Sequence, residues 1–188
     1  MVAVFTIIVW SYIRIQKVLI NEKQFSNRLS TIKRFSDLVR QASSEDEVYD
    51  ILFDMLKKKS GIVQVVVIKK GYNDKNMTVF KAMDMEKLKT IENKVTTEQN
   101  CWAVKTGNEF VYNGNSDDFN CKEFHRESVS YLCIPIVLGG IVSGVVQIQS
   151  DKKDFFTDSM ITEIKVYIDS ITPVISNLRL LESLNNMA

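Results

Sequence analysis

Apolar positions recur along this chain with two periods, and the changes between them mark its elements. After a nearly all-apolar stretch at 2–13 (VAVFTIIVWSYI), Ile15, Val18, Phe25, Leu29, Ile32 and Val39 step by three and four. That spacing is one stripe along a helix. No Gly or Pro interrupts the run as far as Ser43, so one long helix is expected, a coiled-coil seam with Glu22 and Ser36 as weak positions. The alternative is an amphipathic helix packed on the chain's own body, with Phe35 and Leu38, which lie off the seam, as its contacts. Ser44-Glu45-Asp46-Glu47 spells a capping box. Val48, Ile51, Leu52, Met55 and Leu56 continue at helical spacing, and Gly61 ends the element.

The pattern then changes to short, β-branched runs. Residues 62–68 (IVQVVVI) are too short for a separate helix and read as a buried strand. Asn73-Asp74-Lys75-Asn76 is turn chemistry, and 77–83 reads as the next strand. Residues 84–96 are charged and show no period. Asn100 is a candidate cap for a short helix over 101–106 (CWAVKT), closed by Gly107 and followed by a brief strand at 110–112. Residues 113–130 form a polar, turn-rich loop of the length that often carries function. The runs 131–138 and 141–148 flank Gly139-Gly140, whose positive φ angles suit a two-residue hairpin turn. In the second run Val142, Val146 and Ile148 alternate with Ser143, Gln147 and Gln149, so one face is expected to be wet. Thr157 caps a final helix in which Ile161, Ile164, Ile168, Ile171, Ile175 and Leu178 form a second seam. Pro173 is expected to bend that helix or remove a backbone bond. The order predicts an α+β domain, a mostly antiparallel sheet between two long terminal helices.

Composition narrows the functions open to such a domain. The 188 residues carry 24 Lys+Arg against 23 Asp+Glu, a net charge of +1, which gives no field for nucleic acid. One His, and no Walker loop, GxGxxG or HExxH, make a self-contained enzyme a poor fit. Three cysteines without a secretory signal point to reduced thiols. The stretch at 2–13 has 12 residues where a spanning helix needs roughly 20. Trp10 and Tyr12 precede Arg14 and Lys17, after which Lys23, Arg28, Lys33, Arg34 and Arg40 follow. The expectation is the cytoplasmic end of a membrane helix, cut at its outer half; a buried first turn or dimer packing is the alternative.

The element order, with 101–107 (CWAVKTG), a second cysteine at Cys121 and 131–151 (YLCIPIVLGGIVSGVVQIQSD), resembles a GAF domain over about residues 30–180. More narrowly it is similar to GAF modules of bacterial signalling proteins. The tail 177–184 (NLRLLESL) is similar to the helix joining such modules to a GGDEF diguanylate cyclase output. The resemblance implies a membrane end at 1–13, a signalling helix at 14–42, a GAF body at 43–157 and a closing helix at 158–188 leading to an output domain. It also implies a non-catalytic sensory and dimerisation module on the cytoplasmic side of the membrane, a homodimer through both terminal helices. There is no NKFDE-like signature, and Cys101 is followed by Trp102 where bilin carriers have His. Neither cyclic nucleotide nor bilin is therefore implied.

In a GAF arrangement Cys101, Cys121 and Cys133 are expected to converge on the ligand pocket. With His125 they would make a Cys3His tetrahedron of the kind that holds zinc, although their spacing matches no standard finger or ribbon. Inert packing, metal binding and redox-responsive thiols all remain open. The pocket is expected to be lined by Cys101, Trp102, Cys121, Phe124, Tyr131, Cys133, Phe80 and Phe110, with Met83, Met85, Tyr112 and Phe119 nearby. An enzymatic alternative also follows from the resemblance, since free methionine sulfoxide reductases are GAF proteins with cysteines near this pocket. Cys101, at a helix N-terminus, would then be the nucleophile and Cys121 the resolving thiol, although the local sequences do not match that family.

Overall fold

The computed structural model describes residues 2–70, 76–84, 86, 96–97, 101–114 and 129–187, with backbone alone at 2–9, 11, 96 and 97. The elements in chain order are α1 (Val2–Val39), α2 (Glu45–Lys57), β1 (Ile62–Lys70), β2 (Asn76–Ala82), β3 (Thr96–Thr97), α3 (Trp102–Thr106), β4 (Phe110–Tyr112), β5 (Ser130–Leu138), β6 (Ile141–Ser150) and α4 (Asp158–Asn185). The strands form one antiparallel sheet in the order β3-β2-β1-β6-β5-β4. This is the α+β arrangement that the sequence predicts.

Strand alternation divides the core in two. Val65, Val67, Leu132, Ile134, Val146 and Ile148 face a layer made by the end of α1, by α2 and by α4. Val66, Ile68, Tyr131, Cys133 and Val145 face the other way, toward α3. The central strands β1 and β6 are covered on both sides, which explains why 62–68 is an almost unbroken apolar run.

Contacts within the helix layer define its directions. The rings of Phe35 and Tyr167 meet edge-on at 4.9 Å, and the Ser36 hydroxyl meets that of Ser170 at 3.4 Å. These pairs ascend together, so α1 and α4 run parallel. Glu45 at the start of α2 bonds Arg179 late in α4, and Lys59 just past α2 pairs with Glu163 early in α4; α2 therefore runs opposite. As a result α1 reaches the body at one end and α4 leaves it at the other.

The seams correct two expectations. Ile164, Ile168, Ile171 and Ile175 are at most 1% exposed and belong to the chain's own core. Burying each is worth about 1.5–3 kcal/mol, and here the sheet and the other two helices supply that burial rather than a second chain. The α1 seam splits in two. Val39 is buried in the same core, as is Phe35 beside the seam, whereas Ile15, Val18, Phe25 and Leu29 are each more than half exposed, as is Trp10. Leu38, the other contact in the alternative of packing on the body, is 47% exposed. Among the described residues no helix is long and apolar enough to cross a membrane.

Local chemistry shapes the ends of elements. The Ser44 hydroxyl accepts the Glu47 N–H at 3.2 Å, while the Glu47 carboxylate reaches past Ser44 to the N–H and hydroxyl of Ser43. The cap residue of α3 is Cys101, and Asn100 lies outside the described residues. Of the turn expected at 73–76, Asn76 opens β2 and the rest also falls outside. Gly139 and Gly140 have φ of 57° and 81°, as a two-residue hairpin requires. The helix α4 runs on through Pro173, which stands on its exposed side. In β5, Pro135 lies beyond the end of β4, which stops opposite Cys133, so its missing N–H costs no ladder bond on that side.

Candidate functional site

The face of the sheet away from the long helices brings together Cys101, Tyr131 and Cys133 of the expected pocket. Its register sets side chains in rows across the strands. One row runs Phe110, Cys133, Gln147, Val66 and Ala82, and the next Tyr112, Tyr131, Gln149 and Gln64. The rings of Tyr112 and Tyr131 stack at 5.0 Å, Phe110 lies 5.8 Å from Tyr131, and Trp102 lies 6.3 Å from Phe110. Cys101 and Cys133 are both buried in this cluster, with Ala103 and Val104 of α3 over it.

Polar groups are embedded among these rings. The Gln149 side-chain amide donates to Gln147 Oε1 at 2.8 Å, and Gln147 Nε2 donates to the Cys133 sulfur at 3.6 Å. Gln64 bridges the backbone of Asp84, donating to its carbonyl at 2.8 Å and accepting its N–H at 3.0 Å. Gln147 is 1% exposed and Gln149 8%, so the face expected to be wet is a buried, amide-bearing floor. A signal was present in the sequence: a strand paired with the all-apolar run at 62–68 shares its two-sided burial. Neutral amides beside aromatic rings can hydrogen-bond a polar ligand group while the rings exclude water.

A β-bulge corrects the position of Phe80. Val67 pairs with Lys81 and Ile68 with Val79, which leaves Phe80 as the extra residue of β2. It faces the helix layer, 5.7 Å from Tyr49 of α2 with the Lys69 ammonium over its ring, and is no part of the pocket face. Met83 likewise packs against the helix-side core. A second bulge, at Ser143, turns Val142 to the cysteine face, away from Val146 and Ile148.

Of the residues expected in the pocket, Cys101, Trp102, Phe110, Tyr112, Tyr131 and Cys133 come together on this face. Cys121, Phe124, His125, Met85 and Phe119 lie outside the described residues. Among the described residues there is no group of three His, Cys, Asp or Glu placed to hold a metal. A groove of about 380 Å³ between α1 and α2, with Phe35, Leu38, Ile51 and Met55 in its lining, is on the opposite side of the sheet.

No family model matches the sequence, and no curated protein matches it. Solved structures do share its fold. The GAF domain of an Acinetobacter phosphoenolpyruvate-protein phosphotransferase superposes with a TM-score of 0.65 at 12% identity, over 83% of this chain and 97% of that one. The GAF domain of a two-component sensor histidine kinase from Bacillus halodurans gives 0.61 at 14%, over 75% and 99%. A type II free methionine-R-sulfoxide reductase from Thermoplasma acidophilum gives 0.58 at 15%, over 76% and 95%. With its antiparallel sheet, its terminal helices on one face and its short helix on the other, the chain has the GAF-domain fold.

Proposed function

We propose that the chain is a non-catalytic sensory module of a signalling protein, in which the cysteine-bearing face takes the input and the terminal helices pass it on. One observation carries this reading: a single sheet separates a buried floor of amides, thiols and rings from two parallel helices, one arriving and one leaving. An input that favours one placement of those helices shifts their equilibrium by its differential affinity, about 1–3 kcal/mol in typical couplings. The GAF domains of a sensor kinase and of a phosphotransferase support a sensory role by likeness of fold. The candidate inputs are a small molecule, zinc at Cys101, Cys121, His125 and Cys133, and an oxidant acting on the thiols.

The rest of the reading concerns the parent protein. Trp10 and Tyr12 ahead of Arg14, whose guanidinium lies 4.7 Å from the Trp10 ring, suit a membrane surface with the body on the cytoplasmic side. The exposed α1 seam suits a second copy of the chain. Leu180, Leu181 and Leu184, exposed on the departing end of α4, suit contact with an output domain, and the likeness of 177–184 to a GGDEF linker makes a diguanylate cyclase the proposed output.

The likeness to a methionine-R-sulfoxide reductase favours a second reading, a thiol enzyme. Against it, Cys101 and Cys133 are both buried, whereas a nucleophilic thiol needs access. One experiment separates the two. Native mass spectrometry of the full chain with zinc, with alkylation of each cysteine mapped before and after chelator and oxidant, is expected to show the three thiols protected together by metal. Alternatively, oxidant joins Cys101 to Cys121. Independent slow labelling without bound metal removes the thiol and metal inputs. Turnover of free methionine sulfoxide replaces the sensory reading with the enzymatic one.

A further inference from the structure

Glu45, the first residue of α2, is the centre of an ion cluster where α4 leaves the body. Its Oε1 accepts from Arg179 Nη2 at 2.7 Å and from the Tyr49 hydroxyl at 3.2 Å; its Oε2 accepts from Arg179 Nε at 3.1 Å and from Lys69 Nζ at 2.9 Å. The Arg179 fork is bidentate, the geometry that fixes direction as well as distance. Arg179 follows Ile175, a fully buried residue of α4, and precedes the exposed Leu180, Leu181 and Leu184. The cluster is thus a final tie on the helix before it projects.

Lys69 and Phe80 join this tie to the sheet. The Lys69 ammonium stands 3.1 Å from the centre of the Phe80 ring, and that ring packs on Tyr49. Lys69 follows Ile68 and Phe80 follows Val79, and Ile68 and Val79 are register partners that pack in the cysteine-side cluster. Adjacent residues on a strand point to opposite faces. A displacement of the β1–β2 pair felt on one face is therefore carried to Lys69 and Phe80 on the other. At the opposite end of the helix pair Glu163 has a similar set of partners, Tyr167 four residues on, Lys59 at 2.7 Å and Arg28 close by, and none of these three is a strand residue.

We propose that Glu45 couples the two sides: through Lys69 and Phe80 it reads the position of the β1–β2 pair, and through Arg179 it holds the departing turn of α4. This deepens the sensory reading and rests on it for the identity of the input face. The role of Glu45 is positioning, not catalysis. Its failure and that of the sensory reading are distinguishable, because the following test needs no ligand.

The test is hydrogen exchange in the full chain, read by mass spectrometry over residues 176–185 and over the core. Arg179→Met is expected to speed exchange of 176–185 about tenfold, as loss of a charged hydrogen-bonded pair does locally. Lys69→Met, although Lys69 is bonded to Glu45 and not to α4, is expected to speed the same segment. Phe80→Leu, which keeps every charge, is expected to do so more weakly and serves if Lys69→Met fails to fold. Lys59→Met is the control from the opposite cluster and is expected to leave 176–185 unchanged. If Lys69→Met and Phe80→Leu leave 176–185 as in the native chain, the cluster is a helix tether with no link to the sheet. If Lys59→Met speeds the segment equally, the effect is general loss of stability. Either result overturns the proposal.

Discussion

At the residue scale, individual positions show how close approach and two-sided burial act. Gly144 is needed because a Cβ there would sit 2.5 Å from the Ile68 carbonyl oxygen of the neighbouring strand. Gly144→Ala is therefore expected to destabilise the chain by about 1–3 kcal/mol through forced strand separation, read as a lower denaturation midpoint in urea with an unchanged slope. Gly144 was legible as part of a strand motif, but the reason for it was not, since that reason is an oxygen 76 positions away in the chain. The glutamines teach the same lesson. Alternation placed Gln147 and Gln149 on one face correctly, yet whether a face is wet depends on what packs over it, and α3 packs on the same side of the sheet.

At the element scale, periodicity found both long helices but did not say what covers each stripe. The α4 seam is used within the chain, so Ile164→Asp with Ile171→Asp is expected to unfold it rather than yield monomers, because an unpaired carboxylate there costs several times the ~1.5–3 kcal/mol of burial lost. Circular dichroism and thermal melts check this: a folded monomer would contradict the core assignment. The bare part of the α1 seam should behave in the opposite way. Phe25→Asp with Leu29→Asp is expected to leave the melting temperature of the body unchanged while shifting sedimentation from dimer to monomer. A native chain that sediments as a monomer at all concentrations refutes this seam as a contact. The heptad pattern is identical in kind on both helices; only the third dimension distinguishes a stripe facing its own sheet from one facing solvent.

At the scale of the whole molecule, acid should loosen both ends of the helix layer together. Burial opposes ionisation of Glu45, but hydrogen bonds and charge from Arg179 and Lys69 outweigh it and hold its carboxyl below the ordinary 4.5; the Tyr49 hydroxyl also faces it, and Glu182 acts on both cations. Glu163 is held low in the same way, burial opposing and Lys59, Tyr167 and Arg28 prevailing. Each folded carboxyl titrates below its unfolded value, so the unfolded state binds protons first as pH falls. The stabilisation is thus complete above 4.5 and lost as pH falls below it. Urea midpoints measured from neutral pH down through this range are expected to fall below 4.5, and Glu45→Gln with Glu163→Gln to flatten that fall; equal slopes in both chains would place the acid sensitivity elsewhere. The sequence by itself determined the element order, the α+β class, and the hairpin with its glycine turn, because these follow from local periods and turn chemistry; the grouping of Cys101, Trp102, Tyr131 and Cys133 was implied only by the resemblance to GAF domains. Tertiary structure alone decided that the α4 stripe belongs to the core, that Phe80 faces the helices through a bulge, that the glutamine face is dry, and that Glu45 meets Arg179. Each of those depends on contacts between segments distant in the chain, whose energies no local pattern contains.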